Sequence, residues 1–267
     1  MLRRILKELT KNVMKKNKEF HHLHRGEECY IIGNGDSIKY FDLDKFKDRI
    51  SFGCNVLRAH NDFSKLNLKY YVNAAPLLYS PFWRGVKHGL YLEKNPYFKL
   101  QTNFTNTGYT HFVHASNYYF INNKSNYRFV HNLNKHPIDL DFNDFTTSSS
   151  FVDGGLLTMI GLAIYMGFKK AYLVGCDYFF NPYISGHFWS RFERIIGSNK
   201  FFYTELMNLI EGTIDLTVIT TKGISSHINS IQYEEFFGVN ENYKDPEEII
   251  SQRDLYIMDK TLYTRGM

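Results

Sequence analysis

The chain has 267 residues, 43% hydrophobic and 22% charged, an ordinary globular composition with enough length for one large domain and a lid. Its net charge of +5 gathers near the N-terminus instead of forming a stripe, which argues against a nucleic-acid partner. The three cysteines, Cys29, Cys54 and Cys176, form no CxxC pair, which excludes a disulfide framework or zinc ribbon and favours a reducing, cytoplasmic compartment.

In residues 1–18, Leu2, Ile5, Leu6, Leu9, Val13 and Met14 recur at helical spacing, with Arg3, Arg4, Lys7, Lys11, Lys15, Lys16 and Lys18 between them. This basic amphipathic helix has two readings. It lies on an anionic membrane surface at the inner face, or it packs on its own domain or on a second subunit of a homo-oligomer. No apolar run approaches the roughly 18 residues needed to span a bilayer. No signal peptide is expected either, because no uninterrupted apolar core follows the charged start.

From residue 28 the pattern alternates strands with helices. Strands are expected at 29–32, 50–53, 70–72, 111–114 and 128–130. A helix is predicted over 155–166, with Leu156, Met159, Ile160, Ala163 and Ile164 on one face and Gly167 at its end. A buried strand at 171–174 closes at Gly175-Cys176-Asp177, and an aromatic loop runs from 178 to 189. A helix through 207–209 and a strand at 216–220 follow. Asp245-Pro246-Glu247-Glu248 then carries a capping acid, a first-turn proline and acids at the positive dipole end of a helix. The expected fold is α/β: a single Rossmann-like domain with a mostly parallel, doubly wound sheet. The boundaries predicted are 1–27 for the basic helix and linker, 28–240 for the nucleotide-sugar-binding domain with a flexible lid near 178–200, and 241–267 for a C-terminal helical segment.

The most telling turn is Gly33-Asn34-Gly35, which ends an apolar strand and leads through Asp36 and Ser37 into a helix-like segment. In open α/β sheets ligands sit at the carboxyl ends of strands, and a helix start there offers free N–H groups to a phosphate. The turn lacks the third glycine of the dinucleotide fingerprint, and the second strand ends in Asn55 where an acid would hold a ribose, which argues against NAD. No Walker A lysine motif is present. Asn34, Asn55 and Asn73 each fall at or just past a predicted strand end, and an amide can both donate to and accept from a base or sugar. Asp153-Gly154-Gly155 opens the 155–166 helix, as a capping turn, an anion site, or both.

The order and spacing of these motifs, with Met166-Gly167-Phe168-Lys169-Lys170-Ala171-Tyr172-Leu173-Val174-Gly175-Cys176-Asp177 and a later Gly186-His187, resemble two related groups. One is the bacterial lipooligosaccharide sialyltransferases of glycosyltransferase family 42. The other is the surface-polysaccharide proteins similar to the hydroxymethylpterin diphosphokinases, the MptE-like group. The resemblance runs from about Glu28 to Tyr233. It implies a domain that binds a CMP-activated nonulosonic acid, sialic acid or a relative. It also implies transfer to a cell-surface glycan in lipooligosaccharide or capsule biosynthesis, by an inverting displacement without a metal or other cofactor. Carried over by position, Gly33, Asn34, Gly35, Ser37, Asn55, Asn73, Gly154, Gly155 and Asp177 would bind the donor. His187 would be the general base, and Tyr178 and Tyr183 would stabilise the leaving phosphate. The chain departs from the family pattern at Asp36, where a proline is usual, at Phe179, in one tyrosine position, and at Val152, where an arginine is expected. His187 lies nearer its strand than in the family.

A histidine is poised near neutral pH to take the proton of an acceptor hydroxyl. A lid that expels water limits hydrolysis of an activated donor. Asp42-Leu43-Asp44 and Asp139-Leu140-Asp141 resemble a metal-holding acid pair, but Asp44 is expected to cap a short helix and Asp141 to lie in a turn. His21, His22 and His24 are expected to be solvated, and His227 is a weak candidate for touching the donor base. Three other readings stay open: an ATP- and Mg-dependent diphosphokinase-like enzyme, a metal-dependent NDP-sugar transferase, and a non-catalytic scaffold of polysaccharide assembly.

Overall fold

The computed structural model describes residues 12–79, 108–131, 144–147, 149, 152, 154–180, 183–191, 194–196, 210–221, 223–225 and 228–259. The strands are β1 (Glu28–Ile32), β2 (Ile50–Cys54), β3 (Leu68–Asn73), β4 (Thr110–His114), β5 (Tyr127–Val130), β6 (Lys170–Val174), β7 (Tyr183–Ser185), β8 (Arg194–Ile196), β9 (Asp215–Thr220) and β10 (Asn229–Gln232). The α-helices are α1 (Gly154–Tyr165), α2 (Tyr233–Phe237), α3 (Pro246–Ile249) and α4 (Gln252–Asp259).

Among the described residues, eight strands form one sheet in the order β10-β9-β6-β1-β2-β3-β4-β5, with every pairing parallel. The chain steps outward from β1 through β5, then returns to lay β6 on the other side of β1. That reversal puts a topological switch point at the carboxyl ends of β1 and β6. A separate antiparallel ribbon joins β7 to β8 within the stretch expected to be a lid.

Both faces of the sheet are covered, as an all-parallel sheet requires. On one face Cys29, Ile31, Phe52, Val72, Ala171 and Leu173 pack against Met159, Ile160, Leu162 and Ala163 of α1. The alternate residues Tyr30, Ile32, Tyr71, Tyr172 and Val174 face the other way, onto Phe41, Phe46, Tyr233, Ile249, Leu255 and Met258. Each buried aliphatic or phenylalanine side chain stabilises the fold by about 1.5–3 kcal/mol relative to exposure. On this second face the links between strands are short 3-10 turns, Asp36–Tyr40, Leu43–Lys47, Leu57–Ala59 and Phe63–Lys65, instead of full helices. The C-terminal α2, α3 and α4 supply the missing cover. The expected helix start at Asp245-Pro246 opens α3, and it carries a capping box, with the Asp245 amide donating to Glu248 Oε2 at 2.7 Å.

The described part of the basic N-terminal segment packs on its own domain. Met14 is buried with Val113, Ala115, Ile121 and Phe129, and Phe20 sits edge-on to Tyr70 and Phe112. Asn17 donates from its side-chain amide to the carbonyls of Phe129 and Phe145, at 2.8 Å each. Lys15, Lys16 and Lys18 point to solvent. Residues 1–11 lie outside the described residues. Among the described residues, no helix is long and apolar enough to cross a membrane.

Candidate active site at the sheet switch point

The turn after β1 and the turn after β6 are locked together. The Gly33 amide donates to the Val174 carbonyl and the Gly35 amide to the Gly175 carbonyl, both at 2.8 Å. The approach is too close for side chains. A Cβ on Gly33 would run into the Gly175 carbonyl, and one on Gly35 would stand 2.5 Å from Cγ of Asp177. The glycines of this turn therefore serve the contact between two loops.

The start of the Asp36–Tyr40 turn is occupied, and its occupant is the side chain of Asp177. Its carboxylate accepts from the Ser37 amide at 2.8 Å and the Ser37 hydroxyl at 2.5 Å, and the Asp36 amide also bonds to it. The amides expected to bind a phosphate here are thus occupied by a side chain of the same chain. Burial pushes the Asp177 carboxyl up to about 7, with Asp36 adding to the rise and the Ser37 and Asp36 hydrogen bonds opposing it.

Asn34 sits between these turns and β2. Its side-chain amide donates to the Cys54 carbonyl and contacts Cys54 Sγ, both at 3.2 Å, which leaves its buried Oδ1 without a partner. Asn73, fully buried at the end of β3, donates to the Tyr79 hydroxyl at 3.2 Å and also leaves Oδ1 unpaired. An unsatisfied buried acceptor costs about 1–3 kcal/mol, and two of them lie at this sheet edge. Asn55 takes a left-handed backbone with φ 52°, and its carbonyl accepts from the Tyr71 hydroxyl at 2.7 Å. Gly155 in the first turn of α1 faces it closely: a Cβ there would lie 3.3 Å from Asn55 Nδ2 and 3.0 Å from Cys54 Sγ. Gly154 and Gly155 therefore bring a helix start, with N–H groups that have no intrahelical partner, to the edge that carries Asn34 and Asn55. Asp153 lies outside the described residues.

His187 follows β7 and docks on the same turn. Gly35 and His187 form an antiparallel bridge, and the Phe188 amide donates to the Asn34 carbonyl at 3.2 Å. The His187 Nδ1 lies 3.2 Å from that same carbonyl, and its ring stacks on Trp189 at 4.3 Å. A carbonyl can only accept, so the proton belongs on Nδ1 and the lone pair on Nε2. Burial pulls the His187 imidazole below its ordinary value, opposed by the Asn34 carbonyl, so the ring is neutral at pH 7.

Tyr178 is partly exposed in the turn directly after Asp177. Tyr183 opens β7 and pairs with Ile196 of the ribbon. Cys54 and Cys176 flank the site, and burial keeps both as thiols, pushing Cys54 up to about 12 and Cys176 well up.

Among the described residues, no group of three His, Cys, Asp or Glu side chains is placed to hold a metal. Asp42, not Asp44, caps the turn that follows it, accepting from the Asp44 amide at 3.1 Å, while Asp44 pairs with Lys47 at 2.9 Å. His24 bonds to the Tyr70 hydroxyl at 2.6 Å, and the His21 and His22 rings meet at a tilt, 3.9 Å apart, both exposed. Asp139, Asp141 and His227 lie outside the described residues.

Two residues of this edge had not been singled out from the sequence. His114 and His131, at the ends of β4 and β5, bring their rings to 5.1 Å, and burial pulls His114 down to about 4. Their signal was positional, since each falls at a strand's carboxyl end like the asparagines. Lys39 is the third omission, and its i, i+3 spacing from Asp36 was the available sign.

No family model and no curated protein matches this sequence. Among solved structures, the chain is similar to the sialyltransferase CstII from Campylobacter jejuni in complex with CMP-3FNeuAc. That match has 14% identity, 88% of this chain and 100% of that chain covered, and a TM-score of 0.44. It is also similar to the sialyltransferase CST-II with a trisaccharide acceptor and CMP, at 18% identity, 88% and 100% coverage and a TM-score of 0.43. The MAf glycosyltransferase from Magnetospirillum magneticum AMB-1 matches at 9% identity and a TM-score of 0.48, over 95% of this chain but 42% of that one.

Proposed function

We propose that the chain is a glycosyltransferase that moves a nonulosonic acid from a CMP-activated donor to a cell-surface glycan. The observation that carries this reading is His187, held by the Asn34 carbonyl as the Nδ1–H tautomer at the sheet switch point with Nε2 left as a base. Nε2 takes the proton of an acceptor hydroxyl as its oxygen attacks the anomeric carbon. The bond from that carbon to the CMP phosphate oxygen breaks, and CMP leaves with the electron pair. A single displacement inverts the anomeric centre. Tyr178, in the turn after β6, and Tyr183, at the start of β7, are the hydroxyl donors assigned to the leaving phosphate. Asn34, Asn55, Asn73, Gly154 and Gly155 are assigned to the donor. Ser37 and Asp177 act behind them, by fixing the turn that carries Asn34. The chemistry needs no metal, and the enzyme works in the cytoplasm, at the inner face of the membrane.

The test is thermal stabilisation by CMP and CDP against UDP, GDP and ATP, with and without EDTA, because selective binding raises the melting point by mass action. A cytidine-selective, EDTA-insensitive shift is expected. A shift confined to ATP or UDP with a divalent metal would overturn the reading.

A further inference from the structure

Lys39 is a charged side chain in the middle of the protein. Its ammonium lies 2.5 Å from Asp36 Oδ1 and 2.6 Å from the Ser190 carbonyl oxygen, and both side chains of the pair are 1% exposed. Lysine is almost never fully buried unless paired, and a buried pair is weak evidence for stability because desolvation offsets its attraction. The second contact of the ammonium reaches across 151 residues, to the segment that carries His187.

The stretch from His187 to Ser190 is a closed turn. The Ser190 amide donates to the His187 carbonyl at 2.7 Å, and the His187 amide to Ser190 Oγ at 3.3 Å. Holding the Ser190 carbonyl therefore holds the far end of the turn that carries the imidazole. The near end rests on the Gly33-Asn34-Gly35 turn: the Asn34 carbonyl accepts from both the Phe188 amide and the His187 ring, and Gly35 bridges to His187. Lys39 is itself fixed, since its 3-10 turn is capped by Asp177 through Ser37. The charged and titratable groups around this turn are Asp36 and Asp177 beneath it and His60, whose ring stands 5.8 Å from Phe188. Arg191 follows it and pairs with Glu247 of α3 at 3.1 Å.

We propose that Lys39 is a positioning residue, whose buried ammonium pins the 187–190 turn to the Asp36–Tyr40 turn and so sets the orientation and tautomer of His187. Its catalytic consequence rests on the reading of His187 as the base; its structural consequence does not.

The test uses the full chain with Lys39→Met. Because Lys39→Met removes the cation beside a buried carboxyl, the double variant Asp36→Asn/Lys39→Met serves as the second form. Folding is checked by near-UV circular dichroism, and the His187 ring is followed by NMR through a pH titration without substrate. The parent is expected to show an Nδ1–H tautomer titrating below the ordinary histidine value. In the folded variants the midpoint is expected to rise toward ~6.5 and the tautomer preference to weaken. Turnover of the CMP-sugar is expected to fall ~10²-fold in kcat with KM little changed, as for a displaced catalytic group. A folded variant with parental His187 titration and tautomer overturns the proposal. Unchanged turnover in His187→Ala overturns the base reading instead, and a shifted His187 signal in the Lys39 variants still supports the positioning role.

Discussion

Asp177 gives the structure its most unusual dependence on pH. Its carboxyl, buried between the turns after β1 and β6, is pushed up to about 7, while in the unfolded chain it takes the ordinary value. Between the two values the native state holds a proton that the unfolded state has lost, so stability falls as pH rises through that window and levels off above about 7. This is the reverse of a salt-bridged carboxylate. A rise of about three units corresponds to about 4 kcal/mol, fully expressed only above the folded value. Burial also pulls His60 and His114 down to about 4 and His111 to about 3, and these act the other way, adding stability as pH rises toward the ordinary histidine value. The net profile of the parent mixes both, so the prediction concerns a difference. Asp177→Asn removes the titration and leaves the histidines. In the variant one of the two oxygens that face Ser37 becomes an amide NH2 donor, which gives an offset independent of pH. Urea unfolding of both proteins from ~pH 4.5 to ~pH 7.5 should show the variant gaining on the parent by about 3 kcal/mol as pH rises. Parallel curves would refute the burial argument for Asp177.

Gly35→Ala would set a methyl 2.5 Å from Cγ of Asp177, and should lower stability by about 1–3 kcal/mol in denaturant unfolding. Met14→Ala should destabilise the domain by about 2–5 kcal/mol, because Met14 is buried against Val113, Ala115, Ile121 and Phe129; an unchanged unfolding midpoint would detach this segment from the domain.

The sheet was legible because its strands are short apolar runs with turn residues at both ends. The predicted strands at 29–32, 50–53 and 171–174 correspond to β1, β2 and β6, and the 155–166 helix to α1. β10 escaped because Asn-Ser-Ile-Gln is polar and half-buried at the sheet edge, with neither an apolar run nor alternation to mark it. The β7–β8 ribbon escaped because its strands are three residues long and lie among aromatics that read as a loop. The segments after Gly35 and at Asp44 read as helical, yet they close as 3-10 turns. Their apolar residues are completed by helices some 190 residues later, and no local pattern carries that information.

At the site, the strand-end positions of Asn34, Asn55 and Asn73 followed from the placing of the strands alone. The partners of the Gly33-Asn34-Gly35 turn did not. The sequence shows glycines and a helix-like start, which suit an incoming phosphate as well as a neighbouring loop. Only the fold brings Asp177 to that start and Gly175 against Gly33. Lys39 was hidden for the same reason, since its contact with Ser190 spans most of the domain.

The central claim is that Nε2 of His187 takes the acceptor's proton. The direct measurement compares steady-state transfer from CMP-sialic acid to a glycan acceptor by the parent and by His187→Ala, with CMP affinity measured on both. The account predicts a loss of ~10²–10⁴-fold in kcat with CMP binding retained. Transfer by a folded His187→Ala protein at the parental rate would contradict it.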